Sequence, residues 1–278
     1  MTLDDRLAAL DAELAPLPGV LVAFSGGVDS GVVLAAAVRA LGTGTVVAAT
    51  AISPSLPAAE RVAAADFVAS LGVRHEQPRT DELAREGYRA NAGNRCAFCK
   101  TELVEVLTPL AARLGIADVI TGTNADDLRA GFRPGIRAAA ERGAWAPLAR
   151  AGMTKDDVRA AARRWDLPLA DKPAAACLAS RIAYGVPVSA GALARVESAE
   201  TALRTALAGA GLQVRDLRVR DLGNDTARVE VDAGLVGELE RRPEVLAVIA
   251  GFDRVGIDPR GFRSGSMNEL LPDPVRYR

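Results

Sequence analysis

Seven residues near the start of the chain, Phe24-Ser25-Gly26-Gly27-Val28-Asp29-Ser30, are of types that suit one task, holding a chain of phosphates. Two adjacent glycines let the backbone turn tightly and bring its N–H groups against an anion. Ser25 and Ser30 add hydroxyl donors, and a helix starting here adds partial positive charge at its N-terminus. Asp29 has no packing reason to stand in such a turn, whereas a divalent cation bridging phosphates wants a carboxylate there. The string holds neither a Gly-Lys-Ser/Thr nor a Gly-x-Gly-x-x-Gly, so it is not a Walker loop or a dinucleotide turn. The bland alternative is a glycine turn with a capping Ser or Asp.

Two further groups carry chemistry. Cys96 and Cys99 form a Cys-x-x-Cys, and Cys177 lies far downstream. A Cys-x-x-Cys alone fits a redox pair, half a zinc site, cluster ligands or coincidence. Three thiolates match a four-iron cluster with one iron left open, while Cys177 alone also fits a small buried hydrophobe. The second group is Gly122-Thr123-Asn124-Ala125-Asp126-Asp127, polar and carboxylate-bearing, which also reads as a helix N-cap with acids in the first turn. His75 is the single histidine, so no two-histidine metal site exists, and its setting reads as a strand end without a catalytic role.

The elements that must position these residues alternate. Leu3, Leu7, Leu10 and Leu14 share a helical face behind Thr2, which reads as the N-cap residue. Gly19 to Ala23 reads as a buried parallel strand leading into the glycine loop, and Val32 to Leu41 as the helix after it. Val46 to Ala51 is a second strand; Pro57 to Leu71 a helix through Val62, Ala65, Val68 and Leu71; Val73 to Gln77 a third strand. After an irregular stretch to Gly93, a helix is expected over Thr101 to Leu114 and a fourth strand over Ala117 to Thr121. Residues 133–148 read as loop-rich, and Thr154 caps a helix over Lys155 to Trp165. Ligands of a doubly wound sheet lie outside the carboxyl ends of its strands, where both the glycine loop and Gly122–Asp127 fall.

This alternation predicts an α/β domain with a doubly wound parallel sheet over residues 1–183. A linker near Tyr184 to Gly191 leads into a smaller α+β domain, 184–278. It holds a helix from about Ala192 to Ala208, strands at Val214 to Arg220 and Ala227 to Val231, a short helix near Leu235 to Arg241, and a strand at Arg254 to Ile257. On its hairpin Leu217, Val219, Val229 and Val231 oppose Arg218, Arg220, Arg228 and Glu230, giving a core face and a charged face. The charged face reads either as solvated or as a surface for an anionic substrate or a neighbouring subunit.

The 278 residues carry a net charge of −1, so no overall basic field points to nucleic acid. No apolar run approaches the roughly 20 residues of a membrane span, and the acidic start Met1-Thr2-Leu3-Asp4-Asp5 is unlike a signal peptide. A cytoplasmic address is expected, where a structural disulfide has little place. Lysine occurs only at positions 100, 155 and 172, arginine serving as the usual base.

The loop Ser25-Gly-Gly-Val-Asp-Ser30 resembles the PP-loop of ATP pyrophosphatases, which cleave ATP between the α- and β-phosphates and adenylate a substrate. With Arg95–Lys100 (RCAFCK), TGTNADD at 121–127, FRPGIRAA at 132–139, APL at 146–148, DKPAAACLASRIAYG at 171–185, RVRDLGNDTARVEV at 218–231 and GFRSGSMNEL at 261–270, the chain resembles the LarE family of PP-loop sulfur transferases. That resemblance implies ATP- and Mg²⁺-dependent adenylation of a carboxylate of pyridinium-3,5-biscarboxylic acid mononucleotide. Sulfur then enters to give a thiocarboxylate, toward the nickel-pincer nucleotide cofactor of lactate racemase. In some members the sulfur comes from a single cysteine, matched here by Cys177. In others three cysteines, matched by Cys96, Cys99 and Cys177, hold a [4Fe-4S] cluster whose open iron carries hydrosulfide, and this sequence resembles that branch.

Under this resemblance Ser25, Gly26, Gly27, Asp29, Ser30 and Asp126 serve the nucleotide, with Asp29 on Mg²⁺. Arg181, Arg218 and Arg220 suit the mononucleotide phosphate or the acyl-adenylate. Glu197, Glu200 and Glu230 are candidates for a metal or subunit-contact site. The expected partners are this substrate, a sulfide or other sulfur donor and further copies in a homo-oligomer, without nucleic acid or membrane. Rival classes are a PP-loop sulfur transferase acting on tRNA, an ammonia-using ligase, and a non-catalytic adenine-nucleotide-binding protein with a zinc staple.

Overall fold

The structure, a computed structural model, describes residues 1–130, 134–173 and 176–271. The Phe132-Arg133 part of the FRPGIRAA stretch, Ala174-Ala175 and the end of the tail from 272 lie outside the described residues. The chain divides into two units. The first holds Met1–Glu82 and Cys96–Ala175; the second holds Leu83–Arg95 and Ala176–Arg276. Residues 176–183 and 83–95 thus belong with the smaller unit, beyond the expected 184–278.

In chain order the elements begin with α1 (Leu3–Leu14), β1 (Val20–Ala23), α2 (Val28–Leu41), β2 (Val46–Ala49), α3 (Ala58–Leu71) and β3 (Arg74–Glu76). Then come α4 (Glu86–Arg89), α5 (Arg95–Arg113), β4 (Asp118–Thr121), α6 (Ala125–Arg129), α7 (Pro134–Ala140), α8 (Pro147–Arg150) and α9 (Lys155–Arg164). The remainder is α10 (Ala190–Gly209), β5 (Leu217–Asp221), β6 (Thr226–Val231), α11 (Val236–Glu240), α12 (Pro243–Leu246) and β7 (Arg254–Ile257).

The first unit is α/β, with a parallel sheet in the order β3-β2-β1-β4. The central strands β1 and β2 are short runs of Val, Leu and Ala, whereas the edge strand β3 is Arg-His-Glu; β2 is buried along its whole length, as a strand covered by helices on both faces must be. The chain moves outward from β1 through β2 to β3, then returns to β4 on the other side of β1. The direction therefore reverses between β1 and β4, which opens a crevice beyond their carboxyl ends. Residues 24–27 and 122–124 both emerge there. Helix α2 is buried from Val32 to Ala37 because its first turn feeds directly from this sheet into the core with Leu148, Met153 and Val158.

The second unit pairs β5 and β6 as an antiparallel hairpin and adds β7 parallel to β6. Gly223, Asn224 and Asp225 all take positive φ in the turn, a conformation these residue types tolerate best. Leu203 and Leu207 of α10 pack on Leu217, Val219, Val229 and Val231. Among the described residues no helix is long and apolar enough to cross a membrane.

Several local expectations are corrected. Helix α3 buries Ala64, Phe67 and Val68, whereas Val62 is exposed. Alanine at so many positions leaves little contrast to mark its inner side. Helix α5 begins at Arg95 rather than Thr101, so Cys96 and Cys99 stand in its first turns. No Pro, Gly or capping residue between 95 and 101 delays it. Pro134 and Gly135 start a helix rather than continuing a loop, since proline suits a first helical turn. The charged face of the hairpin is not solvated: Arg218, Arg220 and Glu230 are buried. Residues 178–181 and Ser266 of the same unit cover it, a long-range effect that strand alternation does not contain.

Candidate functional site

The glycine loop is built by local rules. Gly26 sits at φ 79°, a left-handed conformation that a side chain would strain. Gly27 is the N-cap of α2 and has no side chain to satisfy the first N–H groups of that helix. Such groups lack helical partners and are free to face an anion. Ser30 Oγ donates to the Gly27 carbonyl at 3.2 Å, lies 3.2 Å from Ser25 Oγ, and accepts from the Ser25 N–H. The two serines thus brace the turn from inside.

A second strand end closes on this loop. A Cβ at Gly122 would fall 2.5 Å from the Ser30 nitrogen, so only glycine lets the chain after β4 approach the first turn of α2. Two residues on, the Asn124 carbonyl oxygen accepts from the N–H groups of Asp126 and Asp127 at 3.0 Å each, capping α6. That fixes the amide's orientation, and its nitrogen donates to Asp29 Oδ1 at 3.0 Å. Asp29 Oδ2 takes the Lys155 ammonium in an ion pair. Asp126 in turn accepts the Lys155 backbone N–H at 2.8 Å, tying the start of α9 to α6, and reaches Arg129 at 3.3 Å.

On the other flank Lys172 donates to the Gly26 carbonyl at 3.0 Å and to Glu60 of α3 at 2.6 Å. Sequence reasoning singled out Ser25 to Ser30 and Asp126, which the structure brings into this neighbourhood. It named Asn124 only within the segment 122–127, and missed Lys155, Lys172 and Glu60 as parts of it. One signal existed: in a chain that uses lysine three times, two of the three serve this loop.

The remaining predicted residues fall elsewhere. Cys96 is exposed and Cys99 half-buried in α5, where Gly135 of α7 comes so close that a Cβ would meet the Cys96 carbonyl at 3.0 Å. Cys177 belongs to the second unit and is half-buried. Its carbonyl accepts from Ser180 Oγ at 2.7 Å and from Arg181 at 3.1 Å. Arg181 also grips Glu200 through a two-nitrogen fork at 2.9 and 3.0 Å. Arg220 places two nitrogens on Glu230 Oε2, at 3.0 and 2.6 Å, and Ser266 Oγ donates to the same carboxylate. Arg218 stacks 5.0 Å from the Phe262 ring. Burial, reinforced by the charge of Arg181, pushes the Arg218 guanidinium down to about 10. Glu197 lies half-buried on α10.

Arg95 and Asn91 form a separate clamp in the second unit. The buried Asn91 amide donates to the carbonyls of Ala183 and Val186 at 2.8 Å each. Arg95 bonds Asn91 and the Ala179 carbonyl. The segment entering α5 is thereby fastened to the turn that follows Cys177. Among the described residues no group of three or more His, Cys, Asp and Glu side chains is gathered to hold a metal ion.

A parallel α/β sheet with a glycine loop and a carboxylate at its reversal point defines the architecture of the PP-loop ATP pyrophosphatases. No family model matches the chain. It is 34% identical over 97% of its length, and 96% of the other's, to pyridinium-3,5-bisthiocarboxylic acid mononucleotide synthase of Lactiplantibacillus plantarum. It is 39% identical over 97% of its length to the uncharacterised protein slr1717 of Synechocystis, covering 99% of that protein. An uncharacterised Methanocaldococcus jannaschii protein, MJ0830, matches 63% of the chain at 30% identity, over 66% of its own length. The chain belongs to the family of the pyridinium-3,5-bisthiocarboxylic acid mononucleotide synthase, the LarE family.

Proposed function

We propose that this chain is an ATP-dependent sulfurtransferase that turns a carboxylate of pyridinium-3,5-biscarboxylic acid mononucleotide into a thiocarboxylate. One observation carries the reading: a braced, anion-accepting glycine loop with Asp29 beside it, in a chain alike along nearly its whole length to a synthase of the bisthiocarboxylate.

The chemistry follows from the poor electrophilicity of a carboxylate. A substrate carboxylate oxygen attacks the α-phosphorus of ATP, the bond to the bridging oxygen breaks, and pyrophosphate leaves. A sulfur nucleophile then adds to the activated carbonyl and AMP departs, leaving a C–S bond. The N–H groups of Gly26 to Ser30 hold the pyrophosphate as charge moves onto it, and the Ser25 and Ser30 hydroxyls, bonded to one another and to the Gly27 carbonyl, keep the turn in shape for it. Asn124 and Lys155 hold the Asp29 carboxylate toward the loop.

The residues fit Mg²⁺, which is commonly held by one or two carboxylates plus substrate phosphates rather than by an all-protein cage. Asp29 would hold it, and when bound it neutralises phosphate charge. The likeness to the family is what supports a [4Fe-4S] cluster: Cys96, Cys99 and Cys177 are the three thiolates that would hold it, the number that leaves one iron open to carry sulfide. In the second unit we assign the guanidiniums of Arg181, Arg218 and Arg220 to the phosphate of the mononucleotide or the acyl-adenylate, a planar group that suits both.

The test is to incubate oxygen-free protein with ATP, Mg²⁺, sulfide and the biscarboxylate mononucleotide. AMP and pyrophosphate should form only with the mononucleotide present, and mass spectrometry should find sulfur replacing oxygen in it. Nucleotide binding without substrate-dependent AMP would overturn the reading. Iron analysis tests the cluster separately: about four irons per chain is expected, and colourless protein that takes only zinc after reconstitution would remove the cluster while leaving adenylation standing.

A further inference from the structure

Asp29, the carboxylate of the loop, is fully engaged by protein groups. Its Oδ1 takes the Asn124 amide at 3.0 Å, and its Oδ2 takes the Lys155 ammonium. Lys155 does not reach there by chance of rotamer alone. Its backbone N–H is bonded to Asp126 Oδ2, and Thr154 before it caps α9 in a reciprocal box with Asp157. The base of the side chain is therefore fixed, and the ammonium is delivered across a gap of 126 residues in sequence.

We infer that Lys155 is a placeholder cation, occupying the position at Asp29 that a divalent metal takes when nucleotide arrives. A divalent ion and an ammonium drawn to the same carboxylate repel one another at close range. Metal entry therefore pushes Lys155 off Asp29 Oδ2, and the departing ammonium is then free to face the phosphates that come with the metal. The lysine side chain is 40% exposed and that of Asp29 24%, so the displacement is made in partly hydrated surroundings where the pair is weak enough to open. The arrangement keeps Asp29 neutralised and aimed at the loop while empty of nucleotide. It also makes the loop a poor site for free metal and a good one for metal carried on ATP. This inference rests on the nucleotide reading only for the identity of the incoming anion; the metal competition itself requires no turnover.

The experiment measures Mn²⁺ binding to nucleotide-free protein by electron paramagnetic resonance, with Mg²⁺ as competitor. Lys155→Met should bind Mn²⁺ about tenfold more tightly than the unaltered chain, the scale of losing one nearby unit charge in a partly hydrated site. Adding Asp29→Asn to Lys155→Met should abolish that gain. Lys155→Gln provides a second neutral variant, and thermal melting establishes that each is folded. Unchanged or weaker Mn²⁺ affinity in the folded neutral variants would overturn the proposal. So would a gain that survives replacement of Asp29. If the sulfur-transfer reading fails but the Mn²⁺ gain is seen, the placeholder role stands on its own.

Discussion

Lys172 holds the Gly26 carbonyl at 3.0 Å while its ammonium rests on Glu60 at 2.6 Å. A residue 146 positions downstream thereby fixes the one glycine whose left-handed backbone shapes the loop. Both side chains of the ion pair are largely buried, 17% and 24% exposed, so the contact exceeds a surface pair in worth.

Replacing this lysine should loosen the loop. Lys172→Met is expected to destabilise the first unit by about 1.5–3 kcal/mol, the range of hydrogen bonds made by charged groups. The check is chemical denaturation of the variant beside Glu60→Gln, which removes only the carboxylate charge and should cost less. ATP affinity, read by isothermal titration, should fall in Lys172→Met because the loop is no longer held in shape.

Gly122 gives a steric prediction. Alanine there would put a methyl 2.5 Å from the Ser30 nitrogen and 2.9 Å from the Asp29 carbonyl carbon, both backbone atoms that cannot swing aside. Gly122→Ala should cost about 1–3 kcal/mol, as overpacking does, and should lower nucleotide affinity. Gly44→Ala, where nothing lies within 4 Å of the added carbon, is the matched control and should leave ATP affinity unaltered.

The Arg220–Glu230 pair is almost wholly buried, 6% and 0% exposed. Removing one partner strands the other charge, so Arg220→Met should destabilise by about 3–5 kcal/mol. Arg220→Met combined with Glu230→Gln should recover part of that loss, because no uncompensated charge remains. Equilibrium unfolding of the two variants decides it: a double variant no more stable than the single one would contradict the ion-pair account.

His75 provides a pH dependence that a single residue carries. Its ring lies 2.9 Å from Thr50 Oγ1, and burial holds its pKa below the usual 6.5 despite the opposing charge of Glu76. The unfolded chain therefore binds this proton more readily than the folded one. The stability contribution is present above about pH 6.5 and is lost as pH falls through the depressed folded value. The gap in melting temperature between the unaltered chain and His75→Gln should hold steady above about pH 6.5 and change only as the pH falls below it, the unaltered chain losing stability there.

Strands β1, β2 and β4 were legible because they are largely apolar runs ending in polar segments, a mark that the Arg-His-Glu of the edge strand β3 lacks, and the loop because its residue types have few other uses together. Asp29 could be read as a phosphate-site carboxylate, but its partners could not. Asn124 and Lys155 are distant in sequence, and Asn124 reads equally well as the plain helix cap that it also is. The hairpin alternation correctly separated Val219 and Val229 from Arg220 and Glu230. It could not disclose that Ser180 and Ser266 would close over the charged side, because burial of that face depends on segments some forty residues away. The start of α5 was not legible for a local reason: residues 95–100 hold only Ala97 and Phe98 beside two cysteines and two cations, too few apolar positions to show the helical spacing that is plain from Leu103 to Leu114.

The scarcity of lysine also makes the loop its own reporter. Within these 278 residues the lysines open to an amine-acylating reagent are Lys100, Lys155 and Lys172. Two of the three have their nitrogens on loop residues, one on Asp29 and one on Gly26. Mass-spectrometric footprinting would thus follow occupation of the loop against almost no background, without a dye, a tag or an engineered residue.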